Sequence, residues 1–222
     1  MADIKIDKII RSSRKTIALV VSNDASLIVR APLRVSLEYI QNLVFKKRTW
    51  IDKKKQQVLQ QAKFIKNKEF VDGEVFLYLG QLYKLKIWHG ENIVLTDVLN
   101  FPTKYLKVAK QIMTAWYKQR ALEIITDRAK FYSQLTGWKY KTIKITGAVK
   151  RWGSCGPSGS INFSWRLAMA PLAVIDYVVL HELAHVVEKN HAAKFWQQVK
   201  RFMPDYKIRQ KWLKENGKLL SL

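Results

Sequence analysis

Histidine, cysteine and acidic residues are scarce in this chain of 222 residues, which carries four, one and 17 of them. One cysteine cannot close an internal disulfide, so a reducing compartment is the natural setting and a cytoplasmic location is expected. Low-complexity tracts and internal repeats do not stand out. With 48% hydrophobic residues and abundant Trp, Tyr and Phe, the chain has material for a buried core, and disorder is not expected for most of it. No segment approaches the ~20 apolar residues of a membrane span. Arg166 and Asp176 interrupt the most tempting stretch. The opening MADIKIDKIIRSSRK has neither an apolar h-region nor a cleavage site, so secretion is not expected. The expectation is a soluble intracellular protein without a membrane span.

Positive charge, by contrast, is in large excess: 40 Lys+Arg face the 17 Asp+Glu, a formal +23. Such a field attracts polyanions, among them nucleic acid, nucleotides, anionic lipid and acidic proteins. The competing explanation is a solubility device.

The length suits one domain or two small ones. In the first hundred residues, TIALVV (Thr16–Val21) and SLIV (Ser26–Val29) flank Asn23-Asp24 and predict a hairpin. Ser36 is placed to cap a helix through EYIQNLVFKKRTWIDKKKQQVLQQ. Its apolar Ile40, Val44 and Ile51 recur at helical spacing, and Lys46, Lys47, Arg48 and Lys53-Lys54-Lys55 occupy its other side. Strands follow at Glu74–Leu79 and Leu82–Trp88. Asn100 and Pro102 suggest a boundary, which divides the chain into a small α/β module (1–100) and a second domain (101–222). In the second part, a long amphipathic helix is expected from about Lys104 to Leu135, with Ile112, Trp116, Leu122, Ile125, Ala129 and Tyr132 inward and Gly137 as its stop. TIKIT (Thr142–Thr146) alternates as a strand. A hairpin is expected from Lys150–Cys155 and Ser160–Arg166 around Gly156–Gly159. Pro171 then opens a helix running to about Asn190. Further helices follow around Phe195, Trp196 and Val199, and after Pro204.

Three of the four histidines fall between Val174 and Trp196. His181 and His185, four apart on a helix, share one face, so two imidazole nitrogens can meet one ion. Glu182 sits beside the first and is directed so that its carboxylate reaches a water on the metal without ligating it. This is HELAH, a case of H-E-x-x-H, a pattern expected by chance in about one chain in a few hundred. Apolar residues flank it on nearly every side (Val178, Val179, Leu180, Leu183, Ala184, Val186, Val187), and an unpaired Glu and two unpaired His would be costly to bury there. Two residues compete as third ligand. Glu188 lies one turn on, but three ligands stacked on one straight helix cannot easily surround an ion. His191 is the better candidate if Asn190, which tolerates the left-handed conformation, turns the chain back. A fourth position is left for water, which suits a catalytic Zn2+ ion. His89 reads as a surface or turn residue. Zinc would lower the pKa of its water toward ~7, and Glu182 would act as general base. Arg151, Arg166 and Tyr177 are candidates to hold the developing oxyanion. The same chemistry attacks peptide carbonyls or phosphoanhydrides, and Lys150, Arg151 and Arg166 suit phosphates. The strand around Trp152-Gly153-Ser154 could pair with a peptide, its glycine allowing close backbone approach.

RWGSC (Arg151–Cys155), INFSWRL, the helix carrying HELAH, N-H-x-x-x-F-W (Asn190–Trp196) and MPDY (Met203–Tyr206) together resemble the YgjP-like metallopeptidase family, a zincin-type group similar to the SprT-like proteases. RSSRKTIALVV and YLGQLYKLKI extend the resemblance over nearly the whole chain. It implies an α+β fold: a small N-terminal α/β region, then a zincin-like domain with a short sheet packed on the HExxH helix. It also implies His181, His185 and His191 on zinc with Glu182 catalytic. The His185–His191 spacing equals that of metzincins, but Glu188 stands where those have glycine, so the chain is not placed among them. The implied substrate is a peptide or protein. A nucleotide, or a protein held on nucleic acid through the basic helix, is the alternative.

Overall fold

A computed structural model describes residues 4–22, 24–64 and 68–222. Mixed α and β elements build two compact units, 1–66 and 67–222. The boundary expected at residue 100 falls inside the second unit, because it would cut the strand Leu99–Pro102, whose Leu99 and Phe101 are buried in that unit's core.

The first unit holds β1 (Lys8–Ser12), β2 (Ala18–Val21) and β3 (Leu27–Pro32) in the order β1-β3-β2. β2 and β3 are antiparallel and form the expected hairpin, although Asn23 of its turn lies outside the described residues. The Ser36 hydroxyl accepts from the Tyr39 amide at 3.2 Å and starts α1 (Leu37–Lys46), satisfying one of the N–H groups orphaned at a helix start. The single helix expected here is broken at Lys47, after which α2 (Arg48–Phe64) begins. Ile40, Val44 and Ile51 are nonetheless buried, against Leu27, Val29 and Ala31 of β3.

In the second unit, β4 (Val75–Tyr78), β5 (Gln81–Trp88), β6 (Val94–Leu95) and β7 (Leu99–Pro102) form a sheet ordered β4-β5-β7-β6. Residues 99–102, expected as a break, are thus a strand parallel to β5. The β4–β5 turn has Leu79 and Gly80 both at positive φ, 49° and 79°, as a two-residue type I′ hairpin requires. Its amides donate to Ala168 and Met169 carbonyls at 2.9 and 3.0 Å. A Cβ on Gly80 would sit 2.7 Å from Pro171 Cγ, so glycine lets the turn seat under the next helix start.

α3 (Ala109–Thr136) crosses the centre of this unit and ends at Gly137 with φ 75°. Its buried stripe is Ala109, Met113, Tyr117, Ala121, Ile125, Ala129 and Tyr132. Ile125, Ala129 and Tyr132 match expectation. Ile112 and Trp116 are only partly buried, and Leu122 is 45% exposed. The alanines bring the helix close to its neighbours, and Tyr117 reaches through to donate to the Leu77 carbonyl at 2.6 Å.

β8 (Thr142–Thr146), β9 (Gly153–Cys155) and β10 (Ser160–Ser164) form a second sheet, β8-β10-β9, with β9 at its edge, antiparallel to β10. β9 packs on α4 (Leu172–Val187), whose residues Val174–Leu180 and Glu182–Ala184 are buried. Burial of Asp176 in this apolar helix would be unfavourable without a partner. Arg128 of α3 supplies one in a bidentate pair, Nε–Oδ1 2.5 Å and Nη2–Oδ2 3.0 Å. α5 (Ala193–Phe202) and α6 (Tyr206–Asn216) follow as expected, and a 3-10 turn at Gly217–Leu219 comes after them.

Candidate metal centre

α4 supplies His181, Glu182 and His185, and the turn before α5 supplies His191. The Nε2 atom of His191 lies 3.0 Å from that of His181 and 3.1 Å from that of His185. Potential ligand atoms of all three lie within 4.8 Å of one another. A tetrahedral ion with bonds of ~2.0–2.1 Å would separate adjacent ligand nitrogens by about 3.3 Å, so the cluster is close to that spacing.

Proton placement favours a cation. His185 Nδ1 lies 3.0 Å from the Glu188 carbonyl. A carbonyl can only accept, so the proton sits on Nδ1 and Nε2 points into the cluster as a lone pair. The Glu188 contribution is therefore its backbone. Its carboxylate is not in the cluster, and it is His191 that lies beside the other two imidazoles. Burial lowers the His181 pKa to about 3, helped by the imidazoles of His185 and His191. Burial lowers that of His185 as well, against the Glu188 carbonyl. Metal ligation requires the neutral ring. His181 Nδ1 is buried with no hydrogen-bond partner among the described residues.

The turn that brings His191 back differs from expectation. α4 ends at Val187, Glu188 is extended at φ −126°, ψ 104°, and Asn190 is not left-handed. Instead, Asn190 Oδ1 accepts from the Ala192 amide at 3.0 Å and shapes the bend before α5. Phe195, fully buried, is the common floor, with ring centroids 4.9, 4.5 and 4.8 Å from those of His181, His185 and His191. Trp196 stacks on His191 at 5.7 Å, and Tyr206 stacks on Trp196 at 5.2 Å. This buttress from α6 has no local spacing signal. Its one trace in the chain is the tyrosine of MPDY.

Glu182 is 7% exposed and faces β9. Burial pushes its carboxyl up to about 7, with the Arg151 charge pulling the other way. A Cβ on Gly153 would lie 2.5 Å from Glu182 Cγ and 2.6 Å from Oε1. The absence of a side chain at 153 is what allows strand and carboxylate to meet. Of the three expected oxyanion partners, Arg166 donates to the carbonyls of Gly147 and Ala148 at 3.0 and 3.3 Å and stacks on Trp165. Tyr177 is buried under His181, with its pKa pushed up to about 12 by burial. Arg151 is exposed and close enough to act on Glu182. His89 is exposed in a bend, away from the cluster. No helix among the described residues is long and apolar enough to cross a membrane.

The family model described as "YgjP-like, metallopeptidase domain" matches residues 15–216. The chain is also similar to the crystal structure of the metallopeptidase zymogen of Pyrococcus abyssi abylysin, at 17% identity and a TM-score of 0.38, over 41% of this chain and 93% of that one. No curated protein matches.

Proposed function

The chain belongs to the YgjP-like metallopeptidase domain family, and from that premise we propose a zinc-dependent peptidase centred on His181, His185, His191 and Glu182. The observation that carries this is the convergence of three imidazole nitrogens beside a buried carboxylate, with the His185 proton held outward by Glu188. Three imidazoles suit one Zn2+, with water in the open fourth position. When bound, zinc would acidify that water and polarise the carbonyl of the scissile bond.

The side chains of the chain do the rest. Glu182 accepts a proton from the attacking water as its oxygen bonds to the carbonyl carbon. It then hands that proton to the departing nitrogen as the C–N bond breaks. Burial suits it to both tasks, because a carboxyl poised near neutrality can take and return a proton. Arg151 is the available cation to face the developing oxyanion, since Arg166 is tied to backbone carbonyls and Tyr177 is buried. The edge strand β9 offers unpaired backbone to an extended peptide.

Nucleotide hydrolysis is the second reading, favoured by the +23 charge and by Arg151, whose charge acts on Glu182. The same charge suits a nucleic-acid partner. The lone cysteine suits the cytoplasm. The test is a parallel screen of metal-loaded protein and Glu182→Gln on peptide libraries and nucleoside triphosphates. Peptide cleavage should fall by about 10²–10⁴-fold in the variant while metal stays bound. Release of pyrophosphate or phosphate that depends on Glu182, with peptides untouched, would replace the peptidase reading by the second.

A further inference from the structure

We propose that the corner joining α1 to α2, residues 45–53, is a binding surface for single-stranded nucleic acid. This deepens the nucleic-acid part of the reading above and does not depend on the hydrolytic part.

Six consecutive residues, Phe45-Lys46-Lys47-Arg48-Thr49-Trp50, are exposed at this corner. Phe45 is 56% and Trp50 46% exposed. They are not surplus core residues, because Ile40, Val44 and Ile51 already fill the inward face of the two helices. Between the two aromatics stand three cations, with Lys53 exposed just beyond. The Arg48 guanidinium lies 4.9 Å over the Phe45 ring. Positive charge is also denser in this unit: 15 Lys+Arg against five Asp+Glu in residues 1–66, compared with 25 against 12 in the remaining 156.

The pattern selects among anionic partners. A membrane-surface helix needs one continuous apolar face, whereas here Phe45 and Trp50 are separated by charge. An acidic protein or a DNA duplex would be met by the lysines alone and gives no role to exposed rings. A duplex also keeps its bases stacked away from them. Single strands present both a phosphate backbone and free base faces, and a basic surface carrying aromatic platforms matches both.

The experiment is fluorescence anisotropy of the full-length chain with labelled dT20 and rU20, titrated over a series of salt concentrations. Trp50→Ala and Phe45→Ala should each weaken binding roughly tenfold, with the salt slope unchanged. Lys46→Gln/Lys47→Gln should reduce the slope of log K against log salt by about 1.4. Lys211→Gln/Lys214→Gln on α6 removes the same charge elsewhere and should change affinity less than twofold. Melting curves of the aromatic variants should match the parent, because both side chains are exposed. The proposal fails if the α6 variant weakens binding as much as the Lys46/Lys47 variant, or if both aromatic variants bind like the parent. It fails equally if a 20-bp duplex or phosphatidylserine vesicles compete as well as dT20. Glu182→Gln should bind dT20 like the parent, so loss of the hydrolytic reading would leave this one standing.

Discussion

Replacing Gly153 by alanine is the most direct test of how the sheet serves the site. Gly153 does not have positive φ, so alanine adds no backbone strain, and only the new methyl matters. That carbon would stand 2.5 Å from Glu182 Cγ, 2.6 Å from Oε1 and 2.7 Å from Cδ. Carbon–carbon contacts settle near 3.5–4.0 Å, so something must retreat by about 1 Å. The yielding partner is the end of a flexible side chain, not backbone. Glu182 can turn away at a cost of about 0.5–1.5 kcal/mol for a strained rotamer. The stability loss should therefore be about 1 kcal/mol, a fall of roughly 2–4 °C in Tm for a chain of this size.

The effect on turnover should be larger. A shift of about 1 Å in a catalytic group costs on the order of 10²-fold in rate, or about 2.7 kcal/mol of barrier. Gly153→Ala should thus lower kcat about a hundredfold, with Tm down by only those few degrees. Zinc stoichiometry should be unaltered, since no histidine is touched. The assay is peptide cleavage at saturating substrate, alongside metal analysis and thermal melting. Parent-level kcat in a folded, metal-loaded Gly153→Ala would refute the claim that β9 holds Glu182 in place. Loss of metal together with activity would refute it too, by showing that the histidine cluster had moved instead.

Two further outcomes test the frame around the site. Zinc at about 100 times its Kd should stabilise the protein by about 2.7 kcal/mol, seen as a rise in Tm that a chelator reverses. His191→Ala should remove most of that rise while leaving the metal-free Tm unchanged, because His191 is exposed; an undiminished rise would exclude His191 as a ligand. Arg128→Met should leave the Asp176 carboxylate in α4 without its partner. Breaking a fully buried pair costs about 3–5 kcal/mol. Arg128 retains 27% of its side-chain exposure, and screening by solvent reduces the expected loss to about 2–3 kcal/mol. Thermal melting reads this as a drop of roughly 5–10 °C, and an unchanged midpoint would mean that the pair does not hold α4 to α3.

How far the chain could be read in advance depended on whether a signal was local. His181, Glu182 and His185 were legible because one helical turn fixes their relation, and the apolar residues around them marked the helix as buried. The position of His191 was legible too, but not its route. Local preference points to a left-handed Asn190, whereas the bend uses a short α4, an extended Glu188 and the Asn190 side chain on Ala192. The earlier stop leaves the Glu188 carbonyl facing His185 Nδ1, a contact between side chain and backbone that local spacing does not announce. On α3 the error had a different source. Periodicity weights large apolar residues, so it chose Ile112, Trp116 and Leu122. Yet the buried side runs through Ala109 and Ala121, where small size permits close approach and Tyr117 finds a carbonyl on β4. The break at Lys47 carries neither proline nor glycine and left no mark. Gly153 lies between these cases. A glycine inside a strand pattern announces that something approaches closely, but which atom approaches is a property of the whole fold. Here it is the carboxylate of Glu182, 29 positions along the chain. His181, Glu182 and His185 could be named because their spacing is written within one helix, whereas the groups that pack around them come from β9, α5 and α6, joined only by packing.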